Sequence, residues 1–157
     1  MVKLLRVDAR LLHGQVAVTW LSNVDASSIL IADDAVMQDE MAKIALKMAK
    51  PTGMKLAIRS IDGAAELLND PRSNGITIFA IVRTIEDALR LAEKTDCIHH
   101  INIGGIKKKE GSKLIAPAVF VNDGDIKTLR RLIELVGDVE FRMVPTDSPR
   151  SAKNLLK

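Results

Sequence analysis

Between Arg6 and Gln15 the chain reads Arg-Val-Asp-Ala-Arg-Leu-Leu-His-Gly-Gln. Two guanidinium groups, a carboxylate and an imidazole therefore fall within one short turn. Neutral imidazole carries a nucleophilic ring nitrogen near pH 7, and guanidinium presents a planar fork that matches phosphate oxygens. This set suits phosphoryl handling, with His13 as the carrier and Arg10, three residues before it, as the first candidate to hold the oxygens. Backbone N–H groups over Leu12–Gln15, at the start of a helix, add donors and the positive end of a helix dipole. Gly14 lets the backbone approach an anion without a side chain in the way, and Gln15 completes the phosphate-binding candidates. Asp8 repels phosphate and is read as orienting Arg10 or the imidazole. The plainer reading of Arg10 is an ion pair with Asp8. Arg6, on the preceding strand, is as readily placed to point elsewhere. Phosphoryl transfer depends mainly on positioning and on stabilising charge over the transferred oxygens, so neither metal nor cofactor is required for it.

The elements around this turn follow from pattern. Val2–Val7 reads as a first strand and Gln15–Ser22 as a short helix. Ile29–Ala32 is a continuous apolar run, as in a strand covered on both faces. Met37, Met41, Ile44, Ala45 and Met48 have helical spacing, and Pro51 and Gly53 stop that helix. Met54–Ile58 and Ile76–Ile81 read as strands, each followed by a helix that Ser60 or Thr84 can cap. His99–Ile103 is a short strand closed by Gly104-Gly105. Short extended pieces flank Pro117, and Asn122 or Asp123 can cap a helix to Val136. Val139–Val144 alternates as a last strand, and Ser148-Pro149 predicts a small closing helix. This alternation implies an α/β fold: one doubly wound, mainly parallel sheet with helices on both faces. Ligands bind such sheets outside the carboxyl ends of the strands. The turn with Arg10 and His13 is at such an end, as are Asp33-Asp34, Ser60, Arg83 and Gly104-Gly105.

Composition narrows the classes. A length of 157 residues favours one domain over 1–157. Three Phe, one Trp and no Tyr leave few stacking platforms for single-stranded nucleic acid, and 23 basic against 20 acidic residues give a net charge of only +3. Nucleic acid is therefore not expected as a partner. One cysteine, Cys97, excludes an internal disulfide and a cysteine-built zinc site. No apolar run approaches the ~18 residues that span a bilayer, and no secretory h-region opens the chain. The expectation is a cytoplasmic protein that meets membranes only through partners.

The run from Arg6 to Val16, with Trp20 shortly after, resembles the opening of the IIB components of the mannose/fructose/sorbose family of bacterial sugar phosphotransferase systems. Asp33-Asp34 before a helix ending at Pro51, the Asn102-Ile-Gly-Gly105 turn and the late Thr146-Asp147 extend the resemblance along most of the chain. It implies a phosphohistidine intermediate at His13, formed on Nδ1. The donor it implies is a phosphorylated IIA protein. The acceptor is a sugar of the mannose, fructose, sorbose or N-acetylgalactosamine class, held by the IIC and IID membrane components.

Other residues have bland readings. His99 and His100 read as surface histidines, Cys97 as packing, and Ser60 and Thr84 as caps. Asp33 and Asp34 fit a helix N-terminus better than a metal or acid–base pair, and Arg83 is a secondary candidate on the rim. Lys107-Lys108-Lys109 reads as a solvated loop, with docking of IIA or the membrane components as the alternative. The competing function is a non-catalytic module that binds phosphate or a nucleotide and regulates a partner. It would need Arg10 but not His13. Self-association is left open by the sequence.

Overall fold

The computed structural model describes residues 1–156, with the side chains of Gln15 and Val16 outside the description. The strands are β1 (Val2–Asp8), β2 (Ser28–Ala32), β3 (Lys55–Arg59), β4 (Ile78–Val82), β5 (His100–Gly105), β6 (Lys113–Ala116), β7 (Val119–Val121), β8 (Asp138–Phe141) and β9 (Arg150–Ser151). The α-helices are α1 (Gly14–Val24), α2 (Glu40–Ala49), α3 (Ile61–Asn69), α4 (Ile85–Lys94), α5 (Asp123–Val136) and α6 (Ala152–Leu155).

The main sheet runs in the order β3-β2-β4-β1-β5-β8-β9. Its strands are parallel except β9, which closes the β8 edge antiparallel. β6 and β7 form a separate antiparallel hairpin. Successive strand residues point to opposite faces. Along β4, Ile78, Ala80 and Val82 face one core, which α3, α4 and α5 cover. Phe79 and Ile81 face the other, which Trp20 and Leu21 of α1 and Leu46 of α2 cover. The sheet is thus doubly wound, with β1 at its centre and helices on both faces.

The helix starts obey local chemistry. Ser60 accepts from the Gly63 N–H at 3.0 Å and Thr84 from the Asp87 N–H at 3.0 Å, so both act as caps. Asn122 caps α5 in a reciprocal capping box with Asp125. Replacing Asn122 by Ala is therefore expected to lower stability by about 1 kcal/mol, read as a shift in the urea unfolding midpoint at constant slope.

Three expectations need correction. The helix over 37–48 is broken: a 3-10 turn, Val36–Gln38, comes first, and Asp39 then caps α2. Moreover, Met41, Ile44 and Met48 face solvent, while Leu46 turns to the sheet. The last parallel strand stops at Phe141 rather than Val144, because Arg142 and Met143 bend toward β1 and Trp20. The closing helix starts at Ala152, not at Pro149, because Arg150–Ser151 first pairs with β8.

Candidate active site

β1 ends in the middle of the sheet, flanked by β4 and β5, so its carboxyl end opens onto the centre of the rim. Arg6 and Asp8 are two residues apart and share one face of the strand, the face that Trp20 covers. After Asp8 the chain turns sharply. Leu11 donates its N–H to the Asp8 carbonyl at 3.0 Å and takes φ 57°. Leu11 and Leu12 are buried under the sheet face that α1 covers, which pins the turn. His13 follows as the N-cap residue of α1 and does not cap with its side chain. Gly14 has φ +47°, and a Cβ there would meet nothing within 4 Å. Glycine is needed here for backbone conformation, and the space beside it is open.

The Asp8 carboxylate organises the turn. Its Oδ1 accepts the Arg10 backbone N–H at 2.9 Å. Its Oδ2 accepts from Arg6 Nη2 at 3.1 Å and stands 3.0 Å from His13 Nε2. With a carboxylate as acceptor, Nε2 carries the proton. The other ring nitrogen, Nδ1, then keeps its lone pair, and it has no hydrogen-bond partner among the described residues. The Asp8–His13 contact thus favours the tautomer with the proton on Nε2.

A second set of contacts holds Asp8. Arg6 is 3% exposed and Asp8 4%, so the pair lies inside the protein and needs further partners. Arg6 Nη1 donates to Asn102 Oδ1 and, at 3.3 Å, to the Arg142 carbonyl. Asn102 Nδ2 donates to that carbonyl at 3.0 Å. The Trp20 ring lies under two guanidinium groups, 5.2 Å from Arg6 Cζ and 5.1 Å from Arg142 Cζ. Its Nε1 donates to the Met143 carbonyl at 3.0 Å. Gly104, beside Arg6, must lack a side chain, since a Cβ there would overlap the guanidinium. Burial lowers the Arg6 pKa from its ordinary value, and Asp8 acts against that shift.

A cleft of about 290 Å³ opens beside His13, lined also by Arg10, Lys107, Phe120 and Met143. Arg10 is exposed, and its guanidinium has no ion-pair partner among the described residues. The sequence-based pairing of Arg10 with Asp8 does not form: Asp8 takes the Arg10 backbone N–H, and its cation is Arg6. Lys107, Lys108 and Lys109 are all exposed in a loop, as expected, and within it Lys107 lines the cleft while Lys109 pairs with Asp125 at 2.6 Å. The Gln15 side chain lies outside the described residues.

The remaining rim candidates neutralise one another. Buried Asp33 accepts the Val36 N–H at 2.9 Å and pairs with Arg83 at 3.0 Å. Asp34 accepts the Ile61 N–H at 2.9 Å and pairs with Arg90 at 2.9 Å. Those two contacts hold the Asp34 carboxyl below its ordinary pKa, whereas burial raises that of Asp87. These aspartates act in helix starts and ion pairs. His100 pairs with Asp138 at 2.6 Å on the surface, and Cys97 packs half-buried against the core.

Sequence reasoning left Arg6 open and missed Asn102 and Arg142 as supports. The shared parity of Arg6 and Asp8 on β1 was the one local signal for the first. The other two depend on β1 lying beside β5, and β5 beside β8.

A family model described as PTS system sorbose subfamily IIB component matches residues 2–157. This chain belongs to that family. Among its relatives, the sorbose-specific EIIB component of Klebsiella pneumoniae is 32% identical over 146 residues, covering 93% of this chain and 89% of that protein. The mannose-specific EIIAB component of Escherichia coli strain K12 is 28% identical over 155 residues, covering 99% of this chain and 48% of that longer protein. The crystal structure of the IIBSor domain of the Klebsiella pneumoniae sorbose permease superposes with a TM-score of 0.93 at 30% identity, covering 99% of this chain and 96% of that one. The chain is thus a sugar-specific IIB component of the sorbose/mannose group of phosphotransferase systems. Among the described residues, no helix is long and apolar enough to cross a membrane.

Proposed function

We propose that this IIB component, as one domain over 1–157, carries a phosphoryl group on Nδ1 of His13 between a phosphorylated IIA protein and a sugar held by IIC and IID. The observation that carries this reading is the 3.0 Å contact of Asp8 Oδ2 with His13 Nε2, which leaves Nδ1 as the nucleophile on a residue lining an open cleft. The Nδ1 lone pair attacks the phosphorus on the donor histidine. The new N–P bond forms as the donor's N–P bond breaks, and the donor nitrogen leaves with the electron pair. The Nε2 proton stays on the ring, shared with Asp8, which stabilises the charge developing on the imidazole. In the second step a sugar hydroxyl attacks the phosphorus, its proton passes to a base on the permease side, and Nδ1 recovers its lone pair.

Arg10 and Lys107 line the cleft with His13 and supply cationic donors for the phosphoryl oxygens. The first N–H groups of α1 lack acceptors within the helix and point to the same end. Gly14 keeps that approach open. Phe120 and Met143 offer an apolar wall for a partner's surface. The acceptor is a sugar of the mannose, fructose, sorbose or N-acetylgalactosamine class. The protein works on the cytoplasmic side, at the membrane through its partners. The mannose-specific EIIAB relative, in which this chain matches about half the length, joins IIA and IIB in one polypeptide and supports IIA as the donor.

The test is transfer of labelled phosphate from phosphoenolpyruvate through Enzyme I, HPr and a mannose-family IIA. Wild type is expected to take up acid-labile, base-stable label, and His13→Ala none. Retained sugar phosphorylation by His13→Ala would overturn the reading. Arg10→Met is expected to slow transfer by about 10²-fold through loss of charge stabilisation, with an unchanged urea midpoint because the side chain is exposed. Rapid-quench labelling and equilibrium unfolding check the two halves of that expectation.

A further inference from the structure

Helix α2 turns three of its large apolar residues outward. Met41 is 77% exposed, Ile44 51% and Met48 81%, while Leu46 is buried against the sheet. The spacing of the three is the a–d–a spacing of a coiled-coil seam. On that frame Leu46 falls at f, on the side opposite the seam, which agrees with its burial. Glu40 and Lys47 both fall at g, along one flank of the seam. Ala45 falls at e, a small exposed residue on the other flank. The helix is thus anchored by one side and carries a short, unpartnered recognition seam on the other.

We propose that α2 docks antiparallel against α2 of a second copy of this chain, about a two-fold axis passing near Ile44. The occupant follows from the flanking charges. A two-fold normal to the plane of the two helices sets g positions opposite g positions. At a rise of about 1.5 Å per residue, Glu40 lies ~6 Å before the axis and Lys47 ~4.5 Å after it. Each glutamate therefore meets the lysine of the other copy, twice by symmetry. Met41 and Met48 exchange places across the seam, and Ile44 meets Ile44. The surface is self-complementary, as an isologous interface must be. Parallel packing would set Glu40 against Ala45 and gain no such pair. A lipid surface would draw on the lysines and be repelled by Glu40. Glu40 already touches Lys43 through Oε1 at 3.2 Å, but its side chain is 81% exposed and its second oxygen has no partner among the described residues.

None of the residues lining the His13 cleft lies on α2. The seam is thus separate from the cleft. A seam of two helical turns is smaller than a standard interface, so the dimer is weak and forms at high local concentration.

Sedimentation equilibrium over concentrations up to about 1 mM, the weak end of measurable affinity, tests the proposal. Wild type is expected to show a reversible monomer–dimer equilibrium. Ile44→Glu and Glu40→Lys should each weaken it about tenfold or more, the equivalent of one lost favourable contact becoming a clash. The double variant Glu40→Lys/Lys47→Glu should restore it. All three variants lie outside the His13 cleft, so labelling of His13 should match wild type, and Ile44→Glu, which leaves both ends of α2 untouched, should also match it in thermal unfolding. A wild-type protein that stays monomeric throughout overturns the proposal. So does a dimer indifferent to Ile44→Glu, or a charge-swapped variant that does not recover. Monomeric protein that binds phosphatidylglycerol vesicles through α2 would assign the seam to lipid instead.

Discussion

Changing Asp8 to Asn is expected to slow phosphoryl transfer by about 10²- to 10⁴-fold, the range lost when a buried carboxylate no longer fixes a catalytic histidine's tautomer. Both Asp8 oxygens accept: Oδ1 from the Arg10 N–H, Oδ2 from Arg6 and facing His13 Nε2. An amide has one oxygen to offer, so an NH₂ must face either the Arg10 N–H or both Arg6 and His13. If the NH₂ faces His13, Nε2 becomes the acceptor and the proton moves to Nδ1, which removes the nucleophile. If it faces the Arg10 N–H, two donors oppose each other in the turn. Single-turnover labelling measures the rate. The NMR shifts of the labelled imidazole nitrogens show whether the tautomer has changed. Wild-type rates with an unchanged tautomer would contradict the role given to Asp8.

Replacing Arg6 by Met should be the most destabilising change at the site, by about 3–5 kcal/mol, because it leaves a buried carboxylate without its cation. The neighbouring contacts fail with it: Asn102 Oδ1 loses a donor, the Arg142 carbonyl loses one of two, and Trp20 loses a guanidinium above its ring. Urea unfolding measures the loss. The double variant Arg6→Met/Asp8→Asn should recover part of it, since the uncompensated charge is then gone. A coupling energy near zero in that cycle would show that Arg6 and Asp8 act independently. Gly104→Ala should act in the same direction and more weakly. Its Cβ overlaps the Arg6 guanidinium, which four groups hold in place, and overpacking of this kind costs roughly 1–3 kcal/mol.

The turn from Asp8 to Gly14 was legible in the sequence because its signals are local: charged types at short spacing, a glycine, a strand before and a helix after. The caps at Ser60 and Thr84 were legible for the same reason, and that of α5 was narrowed to Asn122 or Asp123. What surrounds Asp8 was not. Asn102 comes from β5, and Arg142 from the end of β8, and both meet Arg6 only because the strand order sets β5 beside β1 and β8 beside β5. Adjacency of that kind is a property of the sheet, not of any window of residues. Helix α2 shows a different limit. Periodicity finds the apolar stripe of Met41, Ile44 and Met48, but it does not say whether sheet or solvent lies against it. Leu46 on the opposite side took the place in the core. At Arg10, pairing by proximity in sequence pointed to Asp8, whereas the buried Arg6 on the same strand face occupies that carboxylate and leaves Arg10 exposed at the cleft.

The most direct measurement is heteronuclear NMR of the phosphorylated protein with nitrogen-labelled histidine, reading the phosphorus–nitrogen coupling at each ring. His99 and His100 serve as internal references. The expected result is phosphorus on Nδ1 of His13, with the Nε2 proton retained and protected by Asp8. Phosphorus on Nε2 of His13, or on any other side chain, would contradict a carrier whose Nε2 is held by Asp8.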